Sequence, residues 1–274
     1  MIYGQSAGDS LISKSKLEHL YLESKLSDVQ IGKIYGISGG RVHRLRNRYN
    51  IQAIEYYQRH HKQVLDTKEK EFLVGTLLGD GHLRWRNKKD KRAYPQLILE
   101  QSIIHREYAF WLKNQIKDWL YDPNKPLKQV RKVTRGKTYH SYPFQTICHP
   151  VFIEFYEGFY KNRIKTVSID ILEKFFTPFS LAVWLMDDGT ISKNRNIALC
   201  SQSFTKEENN NLSEFLLNRF DLKNNLWKSS NKYYLGFSKE ASIKIADMVK
   251  DFIIPSMKHK LISPETTKEA KLTL

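Results

Sequence analysis

Two short segments hold the residues best placed to do chemistry. LVGTLLGDG (Leu73–Gly81) and LAVWLMDDG (Leu181–Gly189) each run apolar and then end in Asp-Gly. One Asp-Gly after an apolar helix is ordinarily a cap, but two in matching context suggest a pair. If the segments are helices lying side by side, Asp80 and Asp188 fall in adjacent last turns, among carbonyl oxygens at the negative dipole ends. Carboxylates and carbonyls gathered at one place repel unless a hard divalent cation lies between them. An oxygen-only site with open positions suits Mg2+ acting on a phosphodiester, and Mn2+ or Ca2+ fits the same ligands.

The elements that must position these acids are set by the flanking residues. Thr67 opens the first helix, and Thr177 opens the second with Pro178 at the first helical position. A helix from Thr67 to Asp80 is about 20 Å long at about 1.5 Å per residue, enough to cross a domain. The small residues Gly75, Gly79 and Ala182 let two backbones approach, whereas Val183 in the second copy predicts a looser crossing there. Gly81 and Gly189 stand where left-handed C-terminal caps are expected.

The segments after the two helices also repeat. Leu83–Lys88 alternates strictly, which predicts a strand with Arg84, Arg86 and Lys88 on one face. PQLILEQS (Pro95–Ser102) and IALCSQS (Ile197–Ser203) read as strands ending in Gln-Ser. Amphipathic helices come next, one carrying Tyr108, Trp111, Leu112, Gln115, Ile116 and Trp119, the other opened by a Thr205–Glu208 capping box. Hairpins are predicted at 127–144, turning at Arg135-Gly136, and at 226–237, turning near residues 229–231. A last helical stretch closes each copy, with Lys165 and Lys260 near the two ends. Each copy therefore reads αββαββα, an α+β fold of two pseudo-symmetric halves spanning 67–176 and 177–274.

Residues 1–55 read differently, as a small all-α unit joined by a linker over 56–66. Leu17, Leu20 and Tyr21 share one helix face, and the Ser27–Gln30 capping box opens a second helix with Ile31 and Ile34 inward. A break at Tyr35-Gly36-Ile37-Ser38 precedes a third helix with Val42, Leu45 and Tyr49 inward. Its other face carries Arg41, His43, Arg44, Arg46 and Arg48, the arrangement of a DNA-reading helix-turn-helix.

Composition agrees with a polyanionic partner. The 274 residues hold 45 Lys+Arg against 29 Asp+Glu, a formal charge of +16, with 41% hydrophobic residues and 15 Tyr, 14 Phe and 5 Trp. That aromatic content excludes a disordered basic tail, and the charge points to nucleic acid before anionic membrane. No stretch approaches 18 apolar residues and no signal pattern opens the chain, so it reads as intracellular, in cytoplasm, nucleoid or organelle. Cys148 and Cys200 belong to no C-x-x-C pair and read as small hydrophobes. His60 and His61 lack further ligands at fixed spacing and read as solvent-facing.

The paired motifs resemble those of LAGLIDADG homing endonucleases of the single-chain, two-motif type, over roughly Thr67 to Leu274. The resemblance implies a saddle of two halves with sheets in the DNA major groove and the centre facing the minor groove. It implies that Asp80 and Asp188 bind metal with the carbonyls of Gly79 and Asp187. Lys165 in FYKNRIKT and Lys260 in FIIPSMKHKL would bring basic groups to the surrounding solvent network. Gln101 and Gln202 would orient water there, with His105 and Arg106 assisting on the first side. Leu78 and Met186 replace an acidic residue of the motif at a non-liganding position.

The family breaks both strands of a long specific site and leaves 3′ overhangs. The expected partner is therefore double-stranded DNA, bound by a monomer with internal pseudo-twofold symmetry. Arg84, Arg86, Lys88, Lys128, Arg131, Lys193, Arg195, Lys228 and Lys232 are expected to divide between base and phosphate contacts. Two other activities occur on this scaffold, non-cutting regulation of transcription and maturation of intron RNA.

Overall fold

The computed structural model describes residues 12–54, 64–89, 93–192 and 196–262. Lys193 and Arg195, and the His60-His61 pair, lie outside the described residues. The chain divides into two compact units, Met1–Gln63 and Val64–Leu274.

In the N-terminal unit, helix α1 (Lys14–Glu18) continues into a wider helical turn, His19–Glu23. Helices α2 (Asp28–Tyr35) and α3 (Gly39–Arg48) come next. The Ser27–Gln30 capping box forms, and Gly36 ends α2 at φ 66, a left-handed conformation that favours glycine. Leu17, Tyr21, Ile31, Val42 and Leu45 build the core. Two sequence expectations fail here. Ile34 points outward at 60% exposure. Arg46 does not join a basic face: it is only 3% exposed and donates to both Asp28 carboxylate oxygens, at 2.9 and 3.1 Å. Its guanidinium also donates to the Ile51 carbonyl at 3.1 Å and lies 4.2 Å from the centre of the Tyr21 ring.

The second unit repeats one topology. Helix α4 (Thr67–Leu78) precedes β1 (His82–Arg84), β2 (Gln96–Ser102), α5 (Arg106–Gln115), β3 (Val130–Thr134), β4 (Lys137–Gln145) and α6 (Ile153–Phe159). A short hairpin, β5 (Tyr160–Lys161) and β6 (Ile164–Lys165), and helix α7 (Ile169–Phe175) lead into the second copy. That copy comprises α8 (Pro178–Asp188), β7 (Gly189–Ile191), β8 (Ile197–Leu199), α9 (Lys206–Phe220), β9 (Asn224–Ser229), β10 (Lys232–Phe237) and α10 (Lys239–Val249). The antiparallel sheets have matching strand orders, β1-β2-β4-β3 and β7-β8-β10-β9. Tight turns set the outer hairpins: Arg135 and Gly136 take φ 49 and 74, pairing Thr134 with Lys137.

Two strands are shorter than the alternation predicted. β1 stops at Arg84, beyond which the Trp85 indole donates to the Ala93 carbonyl at 2.8 Å. Lys88 lies 5.2 Å from the Trp85 ring and 3.2 Å from the Glu157 carboxylate, so it does not continue a strand face. β8 stops at Leu199, which leaves Gln202 in a turn.

Helices α4 and α8 cross in direct contact at the centre of one continuous core. A Cβ on Gly75 would stand 2.5 Å from the Ser180 carbonyl oxygen and 2.8 Å from Val183 Cβ. The crossing is therefore tight at Val183, which fills the room that Gly75 leaves and is itself fully buried. Helix ends are fixed by the capping boxes Asp66–Glu69 and Thr177–Ser180. The Ser180 hydroxyl also donates across the seam to the Glu71 carbonyl at 2.8 Å.

Candidate active site

The two aspartates reach the seam by different local routes. α4 ends at Leu78, so Asp80 stands exposed in the turn before β1, whereas α8 continues through a half-buried Asp188. Neither Gly81 nor Gly189 takes the expected left-handed conformation. Both are bare because of crowding: a Cβ would come within 2.7 Å of the Thr76 hydroxyl at Gly81, and 2.3 Å of the Leu185 carbonyl at Gly189.

Charge couples the acids. Burial pushes the Asp188 carboxyl up to about 7, and the neighbouring Asp80 charge adds to that rise. Asp187 is pushed up to about 8, again by burial first and Asp80 second. The residues from the two motifs therefore lie within electrostatic reach of one another, and the Asp80 charge disfavours ionisation of Asp187 and Asp188.

The lysines answer that field in parallel ways. Lys165 is delivered by the β5–β6 hairpin, whose two-residue turn places Asn162 and Arg163 at φ 52 and 66. The hairpin is tied down by the Tyr160 hydroxyl, which accepts the Leu83 N–H at 2.9 Å. Lys165 Nζ donates to the carbonyls of Gly79 and Gly81, at 2.8 and 2.9 Å. Lys260 ends a 3-10 helix, Pro255–Lys260, and donates to the Asp187 carbonyl at 2.8 Å and to that of Met186. Burial lowers the Lys165 ammonium to about 8 against the pull of Asp187, Asp188 and Asp80. Lys260 is lowered for the same reason. The expected closing helices form as α6 and α10, but each lysine lies beyond its helix, on a hairpin in one half and a 3-10 element in the other.

The glutamines are not equivalent. Gln101 Nε2 donates to Asp80 Oδ2 at 2.9 Å, while Gln202 turns its side chain to the Cys200 thiol. Cys200 itself donates its N–H to the Asp188 carbonyl at 2.9 Å. His105 stacks on His259 from the second half, with ring centres 6.5 Å apart, which sequence spacing does not reveal. Sequence reasoning also missed the Asp187 carboxylate, which accepts from Tyr108 at 2.7 Å and from Thr76 at 3.1 Å. The available signal was the extra acid of DDG where the first copy has GDG.

The donor set fits a hard cation. The aspartates and the carbonyls of Gly79 and Asp187 offer only oxygen, as Mg2+ and Ca2+ prefer. Each of these carbonyls accepts a lysine N–H and keeps a second lone pair that a cation could use. Among the described residues, no three His, Cys, Asp or Glu side chains form a ready-made cage. A Mg2+ ion held there would complete its shell with water and substrate phosphate, its usual habit.

Strand register sorts the basic residues by face, since directly paired residues share a face and neighbours along a strand alternate. In the first sheet, Arg84 and Lys132 lie on the face of Glu100, opposite the buried Leu97 and Leu99. Arg131 falls on the other face, paired with His140. In the second sheet, Lys232 lies on the face away from the buried Leu199 and Leu235, whereas Lys228 shares theirs through its pairing with Tyr233. Arg41 is half-buried, and Arg44, Arg48, Arg86 and Lys128 are exposed.

Residues 70–245 match the LAGLIDADG DNA endonuclease family. The chain belongs to that family. The cytochrome b mRNA maturase bI2 of Debaryomyces hansenii is 30% identical over 203 residues, covering 72% of this chain and 74% of that protein. The probable intron-encoded endonuclease 1 of Wickerhamomyces canadensis is 27% identical, covering 73% and 86%. The solved structure of the homing endonuclease I-WcaI bound to its DNA recognition sequence is similar at a TM-score of 0.66. It is 26% identical and covers 73% of this chain and 88% of that one. The LAGLIDADG segments are α4 and α8, so the family's motif helices are the pair that cross at the seam. No helix among the described residues is long and apolar enough to cross a membrane.

Proposed function

We propose that this LAGLIDADG protein is a site-specific endonuclease that hydrolyses both strands of a long DNA target with the help of Mg2+. One observation carries the reading: acids from the two motif helices lie within electrostatic reach, each half supplying a lysine to the carbonyls beside its acid. Bound to Asp80, Asp188 and the carbonyls of Gly79 and Asp187, Mg2+ would polarise the phosphate and favour an ionised water. Gln101, which donates to Asp80 Oδ2, would orient that acid, and Gln202 would serve the second side. Lys165 and Lys260 hold positive charge beside the phosphate's developing negative charge, and Lys165, lowered to about 8, can also move a proton near neutral pH.

DNA would lie on the open sheet faces carrying Arg84, Lys132 and Lys232, with Lys88, Arg86 and Lys128 nearby for phosphates. Lys193 and Arg195 remain candidates for phosphate contact on sequence grounds, as does Lys228 at the strand's solvent end. In the N-terminal unit, Arg41, Arg44 and Arg48 of α3 would extend the footprint in the manner of a helix-turn-helix. The enzyme would act as a monomer. Supercoiled DNA carrying the uninterrupted host-gene sequence, incubated with Mg2+, tests this directly. Native protein should linearise it, and Asp80→Asn and Asp188→Asn should each bind without cutting both strands. Undiminished cutting by both variants refutes the site.

The maturase among the relatives favours a second reading, maturation of the host intron's RNA on the same basic surface. Binding of the intron transcript, and faster splicing with protein added, would support it; splicing unaffected by the protein would remove it.

A further inference from the structure

α8 ends in two adjacent acids, and neighbouring side chains on a helix point about 100° apart. They therefore serve different neighbours. Among the described residues, the side-chain partners of the Asp187 carboxylate all belong to the first half. Its Oδ1 accepts the Tyr108 hydroxyl at 2.7 Å and a longer contact from Gln101 Nε2 at 3.5 Å. Its Oδ2 accepts the Thr76 hydroxyl at 3.1 Å and the backbone N–H of Asp80 at 3.3 Å. A carboxylate offers about four lone-pair sites, so these donors leave it little capacity to ligate a cation.

The opposite residue makes the contact sterically specific. A Cβ on Gly79 would stand 2.5 Å from Asp187 Cβ and 2.6 Å from Oδ2. The side chain absent from the first motif is thus replaced in space by the extra carboxylate of the second. The backbone around Gly79 and Asp80 is held from two sides, the Asp80 N–H by Asp187 and the Gly79 carbonyl by Lys165. Gln101 completes the arrangement by donating to both carboxylates. Among the described residues, no hydrogen bond from the first half reaches the Asp188 carboxylate, on which Lys165 acts only through its charge, and Gln202 turns to Cys200 instead.

We infer that the Asp187 carboxylate is a positioning residue for Asp80 alone, acting across the seam so that the second half orients the first half's acid. The inference rests on the endonuclease reading for its strand-specific consequence, but not for its structural one. Full-length Asp187→Ala and the milder Tyr108→Phe, which removes one donor and keeps the buried ring, test both. In hydrogen exchange without metal, the segment containing the Asp80 amide should exchange at least ~10-fold faster in Asp187→Ala, while the segment around 186–191 is unchanged.

On supercoiled target with Mg2+, Asp187→Ala should accumulate nicked circles. The slowed strand should be the one slowed by Lys165→Met, and the opposite strand should be slowed by Lys260→Met. Tyr108→Phe should show the same strand bias more weakly, and it decides the matter if Asp187→Ala does not fold. Unchanged exchange at Asp80, or equal slowing of both strands, overturns the inference. If native protein cuts neither strand, the endonuclease reading fails and the exchange result alone decides the positioning role.

Discussion

Lys165 Nζ sits 2.8 Å from the carbonyl oxygen of Gly79, a contact between residues 86 positions apart in the chain. A buried ammonium is costly, and burial lowers it to about 8 despite three nearby acids. Such a group is placed for electrostatics or proton movement more than for stability. Lys165→Met, which keeps most of the stem, should reduce cleavage by about 10²–10⁴-fold, the range for general acid–base groups. Thermal stability should hold or rise slightly. A variant that cuts at the native rate would remove Lys165 from the chemistry.

Arg46 and Arg44 lie two residues apart on α3 with opposite expected phenotypes. Arg46 is bound to both Asp28 oxygens and packed on Tyr21, so Arg46→Ala strips a part-buried carboxylate of its guanidinium and leaves only His43 Nδ1 beside it, at 3.5 Å. The N-terminal unit should lose about 3 kcal/mol, the low end of the range for breaking a buried pair, since the Asp28 side chain is still 21% exposed. Arg44 is exposed, and Arg44→Ala should leave stability unchanged while weakening DNA binding and lowering the salt slope by about one unit. Denaturant melts and fluorescence-anisotropy titrations at two salt concentrations separate the pair.

That contrast also shows how far the sequence reaches. Val42, Leu45, Arg46 and Tyr49 follow the i, i+3, i+4, i+7 spacing of a single helix face, so the spacing carried the signal that Arg46 faces inward, although its charge assigned it to the basic face. Asp28, its partner, was not, because pairing across a turn depends on how two helices pack. Likewise, the repeated Asp-Gly and the strand-helix alternation disclosed the αββαββα halves. The β5–β6 hairpin has only two residues per strand, too few for any period to register, so Lys165 was found by resemblance and its support was missed. The parity that separates Arg131 from Lys132 is set by the Arg135-Gly136 turn, yet charge alone does not report it. Where Asp187 points is set by the crossing of α4 and α8, a tertiary fact.

Gly75 is the point where that crossing tolerates no added atom. Gly75→Ala would bring a methyl to 2.5 Å from the Ser180 carbonyl, a backbone atom that cannot swing aside. The better helix propensity of alanine, worth about 1 kcal/mol, should be outweighed by overpacking of about 1–3 kcal/mol or more. The expected result is a lower melting temperature for the second unit, with loss of cleavage at temperatures where the fold survives. Melting equal to or above the native value would mean that the helices part easily, contrary to the packing.

The carboxyls of Asp187 and Asp188 set the pH dependence of metal-free stability. Their folded values, about 8 and about 7, lie above the ordinary 3.8. Between those limits the folded protein binds more protons than the unfolded chain, so their contribution is full below about pH 4 and fades as pH rises through 7 to 8. Lys165 acts above that window: held near 8 against an ordinary 10.5, it restores stability as pH climbs from 8 toward 10.5. A divalent cation needs ionised ligands, so it competes with protons for Asp188. Melting with chelator and with Mg2+ should therefore show a larger metal-induced rise at about pH 8 than at about pH 6. Asp80→Asn should shrink that rise at both values, because it removes a ligand. An equal rise at both pH values would place the cation away from these acids.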